Sequence, residues 1–154
     1  MNKYMKAAIN EALLGIEKRH GGPFGAVVVK DGIIIGRGHN NVIGTKDPSA
    51  HGEIVAIREA TRALDDFDLS GCELYTTCEP CPMCYGAIHW ARIDKVYYGA
   101  TKEDAAKVGF DDQILNDILP RQEHHGKPQL IQIYRDECME VFKKYEEDEE
   151  KQLY

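Results

Sequence analysis

Two short motifs, well separated along the chain, contain the residues that most constrain the fold. The first is His51-Gly52-Glu53 and the second is Pro80-Cys81-Pro82-Met83-Cys84. Imidazole nitrogen and cysteine sulfur are ligands that zinc prefers, and a catalytic zinc site has three protein ligands with water in the fourth position. If His51, Cys81 and Cys84 bind one ion, the fold must bring together residues from two segments thirty positions apart.

The spacing within each motif predicts how these side chains approach the ion. Cys81 and Cys84 are three residues apart, so at the start of a helix both sulfur atoms point to one side, where the helix dipole favours thiolates. His51 and Glu53 are two residues apart, which on a regular helix separates their directions by about 200°. The sequence therefore predicts that the helices beginning near His51 and Pro82 both direct their N-termini at one zinc ion.

Glu53 is predicted to be the general base and acid of the site, not a ligand. Two thiolates and one neutral imidazole cancel the charge of Zn²⁺, and a nearby carboxylate can then take a proton from the activated water. Burial beside an apolar pocket would raise the pKa of Glu53 towards the working pH. The alternative is a closed structural zinc site with Cys78 as the fourth ligand. Cys78 precedes Pro80, where the chain is still turning into the helix, which disfavours that alternative.

Length and charge favour a small-molecule substrate. The 154 residues are within the usual size of one domain, so we expect a single domain over 1–154. The formal charge is −7, but an acidic tail from about residue 146 contributes more than half of it, which leaves roughly −3 for the remaining chain. No basic stripe is visible in the sequence, and a tightly held nucleic acid normally requires one.

The sequence also predicts a cytoplasmic protein with no membrane partner. The first ten residues lack the apolar run and cleavage site of a signal peptide, and no stretch approaches the length that spans a bilayer. Three of the five cysteines lie within residues 78–84, which suits reduced thiols at a metal better than disulfides. Cys72 and Cys138 are expected to be small buried residues.

Hydrophobic periodicity predicts helices that alternate with strands after an opening hairpin. Asp31-Gly32 lies between two apolar runs and predicts a tight primed turn. Asp47-Pro48-Ser49 offers the capping residues for a helix that follows a Gly- and Asn-rich loop over 36–49. The predicted strands are 24–29, 33–35, 72–77, 95–99 and 130–134; the predicted helices are 2–19, 50–64, 82–91 and 137–145, with a mostly helical segment over 101–119. This order predicts an α/β fold in which a mixed sheet has helices on both faces.

At this point the residues establish a family resemblance. Pro48–Glu53 and Cys78–Cys84 resemble the zinc motifs of the cytidine deaminase superfamily, on the branch that contains bacterial guanine deaminases and tRNA adenosine deaminases. Further stretches are similar to the small bacterial guanine deaminases in particular: residues 22–27, 38–41, 86–92 and 109–112. One departure is Gly52, where such enzymes commonly have Ala, and this change removes no ligand.

The resemblance implies a three-layer sandwich with a central mixed five-stranded sheet, a homodimer, one Zn²⁺ per chain and a purine substrate, with guanine converted to xanthine and ammonia. Carried over by position, Asn40 and Asp112 match residues that contact the base. Tyr154 matches a tail that closes the active site of its own chain or of its partner. From the residues alone, Asn40 equally fits a turn, and Asp111 or Asp112 fits a helix cap.

Several alternatives stay open. The same zinc and glutamate chemistry converts adenosine to inosine in a tRNA anticodon, and it also acts on other nucleobases and nucleosides. A zinc-stabilised binding module without turnover is the alternative outside enzymes. Phe24 and Trp90 could stack on a purine, although aromatic residues beside apolar ones are more often part of a core. The acidity of the chain and the segment Phe110-Asp111-Asp112 favour guanine over tRNA.

Overall fold

The computed structural model describes residues 1–119 and 126–153. Its elements follow in chain order: α1 (Lys3–Glu17), β1 (Gly25–Lys30), β2 (Ile33–His39), α2 (Val42–Thr45), α3 (Gly52–Leu64), β3 (Glu73–Cys78), α4 (Pro82–Trp90), β4 (Lys95–Ala100), α5 (Lys102–Lys107), α6 (Gln113–Ile118), β5 (Gln129–Gln132) and α7 (Arg135–Glu146). Tyr154 lies outside the described residues. No helix within the described ranges is both long and apolar enough to cross a membrane.

The strands of these two ranges form one five-stranded sheet in the order β2-β1-β3-β4-β5. β1 pairs antiparallel with β2 and β3, whereas β3 with β4 and β4 with β5 pair in parallel. The parallel pairs need crossover connections, and α4 provides the one between β3 and β4. The predicted mixed sheet with helices on both faces is confirmed.

β1 shows how the sheet separates two cores. Its residues are nearly all buried, as expected of a central strand covered on both faces. Because side chains alternate along a strand, Val27 and Val29 face a cluster that includes Met5 of α1 and Phe142 of α7. Ala26 and Val28 instead face a second cluster, which contains residues of α3 and α4.

The hairpin turn agrees with its sequence. Asp31 and Gly32 both have positive φ, 49° and 77°, as a type I′ turn requires. The hydroxyl of Tyr4 in α1 donates to the Gly32 carbonyl over 3.0 Å, which connects the turn to the first helix. The primed turn predicted from Asp31-Gly32 is therefore confirmed.

The loop predicted over 36–49 is wrong in two places, because β2 continues to His39 and α2 occupies part of the rest. The glycines that suggested a loop instead allow α3 to approach the strand closely. A Cβ at Gly36 would lie 2.3 Å from the Ala56 carbonyl oxygen, and a Cβ at Gly38 would lie 2.4 Å from the Gly52 carbonyl oxygen. Neither position can accept a side chain without movement of the helix.

The predicted cap of the third helix is also wrong. Asp47 accepts hydrogen bonds from the backbone N–H of Ser49 at 2.9 Å and from its hydroxyl at 2.7 Å, so its side chain closes a turn before the helix. The helix begins at Gly52, and its N-cap is His51. This later start leaves the imidazole at the helix terminus.

One edge of the sheet collects the chain segments that bear the motif residues. β2 ends at His39, β3 ends at Cys78 and β4 ends at Ala100, so these carboxyl ends are followed by the Asn40 loop, the cysteine motif and α5. In α/β sheets such an edge is the usual position of a ligand crevice.

Candidate active site and zinc centre

Two helix N-termini supply the candidate metal ligands. His51 is the N-cap of α3 and Cys81 is the N-cap of α4, where Pro82 occupies the first helical turn. The His51 side chain makes no capping hydrogen bond to its own helix, whereas the backbone N–H of Cys84 approaches the Cys81 sulfur. Both side chains lie where a ligand beyond the helix ends can reach them, and the dipoles of the two helices favour negative charge there.

His51, Cys81 and Cys84 form the metal-competent group found among the described residues, with ligand atoms all within 4.8 Å of one another. The His51 Nδ1 atom lies 3.6 Å from the Cys81 sulfur and 3.5 Å from the Cys84 sulfur. Tetrahedral zinc, with bonds of about 2.1 Å to nitrogen and about 2.3 Å to sulfur, requires a nitrogen to sulfur distance of about 3.6 Å. The three residues therefore fit a zinc ion.

The pKa values of the two cysteines are shifted in opposite directions. The hydrogen bond from Cys84 is the main reason that the pKa of Cys81 is lowered to about 4, and His51 adds to this effect against the opposing influence of burial. The pKa of Cys84 is raised well above its usual value by its hydrogen bond to Cys81 and by burial. Zinc binds cysteine as thiolate, so binding would release the proton that Cys84 holds.

Cys78 is not part of this group. Its thiol is buried and donates to the Thr101 carbonyl oxygen over 3.6 Å. Burial raises the pKa of Cys78 well above its usual value, which keeps the thiol neutral. The donor set that the structure assembles is thus His51, Cys81 and Cys84, as in an open catalytic zinc site and unlike a closed structural one.

Glu53 lies beside the three ligands, one residue into α3, and is 6% exposed. Its Oε1 atom accepts a 3.2 Å hydrogen bond from the Thr76 hydroxyl, and its Oε2 atom lies 3.5 Å from the Cys84 sulfur. Burial, followed by the negative charge of Cys81, raises the pKa of Glu53. A buried carboxyl with a raised pKa next to a metal site can both accept and return a proton.

Thr76 was missed by sequence reasoning. It is 1% exposed and lies in β3, where strand alternation places it on the same face as Leu74, towards α3 and α4. A threonine on the same strand face as the buried Leu74 was the available signal. Its hydroxyl fixes one carboxylate oxygen of Glu53 and leaves the carboxylate oriented towards the ligands.

A cavity of about 290 Å³ opens next to the zinc ligands. Glu53 and His51 are part of its wall, so a molecule in the cavity reaches the metal site directly. The remaining wall is partly apolar and partly polar: Phe24, Val42, Pro48, Ala105 and Phe110 are apolar, and Asn40, Glu79, Lys102, Asp111 and Asp112 are polar. Glu79 and Lys102 were missed by sequence reasoning, since no local pattern marks them.

Asn40 is buried in this wall, with 1% of its surface exposed. Its Oδ1 atom accepts from the backbone N–H of Val42 over 3.2 Å, and its own backbone N–H donates to the Phe24 carbonyl oxygen over 2.9 Å. Within residues 1–119 and 126–153, no hydrogen bond occupies the amide nitrogen Nδ2. Asn40 therefore acts as a turn residue through its oxygen and keeps a donor for the cavity.

The two acids that precede α6 have different partners. Asp111 accepts the backbone N–H of Gln113 over 2.8 Å, whereas Asp112 makes no hydrogen bond that caps the helix. The Asp112 carboxylate instead accepts from the Asn116 amide over 2.6 Å and lines the cavity. Burial and the charge of Cys81 raise the pKa of Asp112.

The remaining predicted positions divide between the cavity and the surface. Phe24 lines the cavity and packs edge-on against Phe110, with ring centroids 5.0 Å apart. Trp90 is 78% exposed at the end of α4 and does not belong to the cavity wall. The tail is described as far as Leu153, whose side chain lies next to Gly109, a residue of the cavity wall.

The family follows from a comparison of the sequence with family models. Residues 1–100 match the cytidine and deoxycytidylate deaminase zinc-binding region. The chain belongs to this deaminase family. Its zinc-binding region spans the two motifs, and the ligands fit the metal in the structure. This deaminase is therefore a zinc-dependent hydrolase that releases ammonia.

The similar proteins include guanine deaminases and tRNA-specific adenosine deaminases. The deaminase is 53% identical to guanine deaminase of Bacillus subtilis over 112 residues, which cover 73% of this chain and 72% of that protein. It is 48% identical to the tRNA-specific adenosine deaminase of Aquifex aeolicus over 97 residues, which cover 63% of this chain and 64% of that protein. The crystal structure of the Bacillus subtilis guanine deaminase matches with a TM-score of 0.75 and 42% identity, over 100% of this chain and 99% of that one.

Proposed function

We propose that this deaminase hydrolyses guanine to xanthine and ammonia. The observation that carries the proposal is the pairing of a donor and an acceptor in the cavity beside Glu53. The free amide nitrogen of Asn40 can donate to the carbonyl or a ring nitrogen of a purine, and the carboxylate of Asp112 can accept from its N–H groups. Guanine has an N–H at ring position N1, where adenine has a lone pair, so a carboxylate acceptor favours guanine.

In the proposed reaction, water adds to the amino-bearing carbon of the base and ammonia leaves. His51, Cys81 and Cys84 would hold the zinc ion, which when bound would supply the activation of that water. Glu53 takes the proton from the water, passes it to the adjacent ring nitrogen and then helps to protonate the departing amine. Thr76 holds the carboxylate of Glu53 in position through its hydroxyl, 3.2 Å away. Phe24 and Phe110 exclude water from the faces of the base.

Similarity and charge support guanine over an anticodon. Bacillus subtilis guanine deaminase is 53% identical over most of its length. A tRNA carries many phosphates, and binding it calls for clustered basic residues, whereas this chain has a formal charge of −7. The similarity to the Aquifex aeolicus tRNA-specific enzyme keeps adenosine in tRNA as the second candidate.

A substrate panel tests the proposal. Zinc-loaded protein is incubated separately with guanine, adenine, cytosine, guanosine and a tRNA anticodon stem-loop, and the release of ammonia or the formation of inosine is measured. We expect guanine to be the preferred substrate. If the stem-loop is edited and guanine is not deaminated, the proposal is wrong and tRNA is the substrate.

Variants at three acids separate the proposed roles. Glu53→Gln should retain one zinc per chain and lose turnover, because the amide cannot carry the proton. Asp112→Asn should weaken guanine deamination by about 10-fold to 100-fold, the loss expected when an N–H group meets a donor instead of an acceptor. Asp111→Asn is the matched control, since an amide oxygen still accepts from Gln113 and guanine turnover should stay near that of the unmodified protein.

A second part of the proposal concerns the C-terminal residue and the oligomeric state. We propose that Tyr154 closes the cavity of its own or a partner chain within a homodimer. The support is that Leu153, the residue before it, lies beside Gly109, which lines the cavity. Removal of residues 153–154 should then strongly reduce deamination while zinc content is retained. An unchanged rate for the shortened protein, or a monomer in light scattering, would remove this extension.

A further inference from the structure

A chain of three titratable side chains lies behind the cavity wall. Glu11 belongs to α1, His20 follows that helix, and His39 is the last residue of β2. The His39 Nδ1 atom is 3.1 Å from the Glu11 Oε2 atom, and the His39 Nε2 atom is 2.9 Å from the His20 Nδ1 atom. The Glu11 and His39 side chains are only 15% and 14% exposed. None of the three lines the cavity, and neither the zinc chemistry nor the base contacts use them.

If both histidines are neutral and Glu11 is the acceptor, these distances permit one arrangement of protons. An ionised carboxylate only accepts, so the hydrogen of His39 must be on Nδ1. A neutral His39 then presents a lone pair at Nε2, and His20 must donate to it from Nδ1. Every nitrogen between the three groups is satisfied in this arrangement, and the tautomers of both histidines are fixed.

The two histidines are also packed tightly against small residues. Their rings stack with centroids 5.2 Å apart and an angle of 24° between their planes. A Cβ at Gly15 of α1 would lie 2.9 Å from the His39 ring, and a Cβ at Gly44 would lie 3.0 Å from the His20 ring. Their positions are therefore set by packing as well as by hydrogen bonds.

Residues 39–44, which we call the Asn40 segment, are held by this pair at both ends. At one end, His39 directly precedes Asn40. At the other end, the backbone carbonyl of His20 accepts from the N–H of Ile43 over 2.9 Å and from the N–H of Gly44 over 3.1 Å. Movement of His20 relative to His39 would displace the backbone that carries Asn40 and its Nδ2 donor.

We propose that Glu11, His39 and His20 form a positioning relay that holds the Asn40 segment in the geometry needed to bind the base. The inference rests on the function proposed above, because it assigns the Asn40 donor to the substrate. None of the three residues touches the reacting atoms. The relay acts through Asn40, so its loss affects binding of guanine more than the chemical step.

Two variants test the relay through kinetics. His39→Phe keeps a ring of similar shape but removes both hydrogen bonds, and Glu11→Ala removes the acceptor at the start of the relay. With each we expect KM for guanine to rise about tenfold, equivalent to about 1.4 kcal/mol, with kcat changed less than about twofold and zinc content retained. Glu11→Gln should restore KM to within about threefold, since its amide oxygen still accepts from His39. Glu17→Gln, on the exposed side of α1, is the control and should leave KM unchanged.

Two further measurements need no substrate. At a pH where both histidines are neutral, ¹⁵N spectra of their rings should show His39 protonated at Nδ1 and unprotonated at Nε2. Hydrogen exchange at the Ile43 and Gly44 amides should accelerate in His39→Phe. The opposite tautomer, or an unchanged KM and unchanged amide exchange in folded His39→Phe, would overturn the relay. If the unmodified protein leaves guanine untouched, the proposed function fails, whereas the tautomer and exchange results still decide the relay.

Discussion

The close approach between β2 and α3 makes Gly38→Ala a sensitive test of how the fold positions the catalytic groups. A Cβ at Gly38 would lie 2.4 Å from the carbonyl oxygen of Gly52 and 2.5 Å from the backbone nitrogen of Ala56. An ordinary contact of about 3.4 Å requires these atoms to move by about 1 Å. Both belong to the helix backbone, so the first turn of α3 must move as a unit.

Two magnitudes follow from this displacement. Overpacking costs about 1–3 kcal/mol, and the replacement of a strand glycine by alanine recovers up to about 1 kcal/mol. We therefore expect the free energy of unfolding to fall by about 1–2 kcal/mol. Gly52 lies between His51 and Glu53, so a 1 Å shift moves a zinc ligand and the proposed base together. Misplacement of that size is expected to reduce kcat by about 100-fold.

Gly36→Ala is the matched control. Its Cβ would lie 2.3 Å from the Ala56 carbonyl oxygen and 2.8 Å from the Ala60 nitrogen, which is the same helix farther from the site. Urea unfolding should show similar destabilisation for both variants, whereas ammonia release should fall much more for Gly38→Ala. The reasoning is refuted if Gly38→Ala unfolds and turns over like the unmodified protein, or if Gly36→Ala loses just as much turnover.

Three further predictions concern stability. Burial opposes ionisation of Asp104, but hydrogen bonds from Arg135 and Thr101 lower its pKa to about 2. The ionised Asp104 therefore stabilises the fold above pH 4, and this stabilisation is lost as the pH falls through 2. Over that interval, after allowance for the half-exposed Arg135, urea unfolding should show the unmodified protein losing about 1–2 kcal/mol more than Asp104→Asn. Phe142 is 0% exposed, so Phe142→Ala should lower the free energy of unfolding by about 3–5 kcal/mol. A loss below 1 kcal/mol in the same assay would contradict its place in the core. Gly32→Ala should lower the free energy of unfolding by about 1 kcal/mol because φ is 77°, and no change would argue against the type I′ turn.

The hydrophobic pattern was sufficient to predict the architecture. The buried run of β1 and the turn residues Asp31 and Gly32 specify the hairpin locally, because strand alternation and positive φ are properties of short segments. Local composition misled the prediction at Gly36 and Gly38, which continue a strand. Their role is contact with α3, and such contact between distant segments leaves no local signal.

The composition of the metal site was likewise available from the sequence. Ligand type and spacing in two motifs indicated zinc, His51, Cys81 and Cys84, because donor chemistry belongs to the residues themselves. Pro82 also indicated the helix start that places both sulfurs on one side. Spacing alone could not determine that His51 is an N-cap, since Asp47 offered a better cap by composition.

Only the tertiary structure decided how the polar residues divide their hydrogen bonds. The sequence left Asn40 equally suited to a turn or to the substrate, and the fold gives the turn its oxygen while the nitrogen stays available. The fold also gives Asp111 the hydrogen bond to the first residue of α6, Gln113, and leaves Asp112 at the cavity. A polar side chain has several possible partners, and which partner is within about 3 Å depends on how distant segments pack. The sequence by itself determined the metal and the reaction class, and tertiary packing decided which groups are free to select the base.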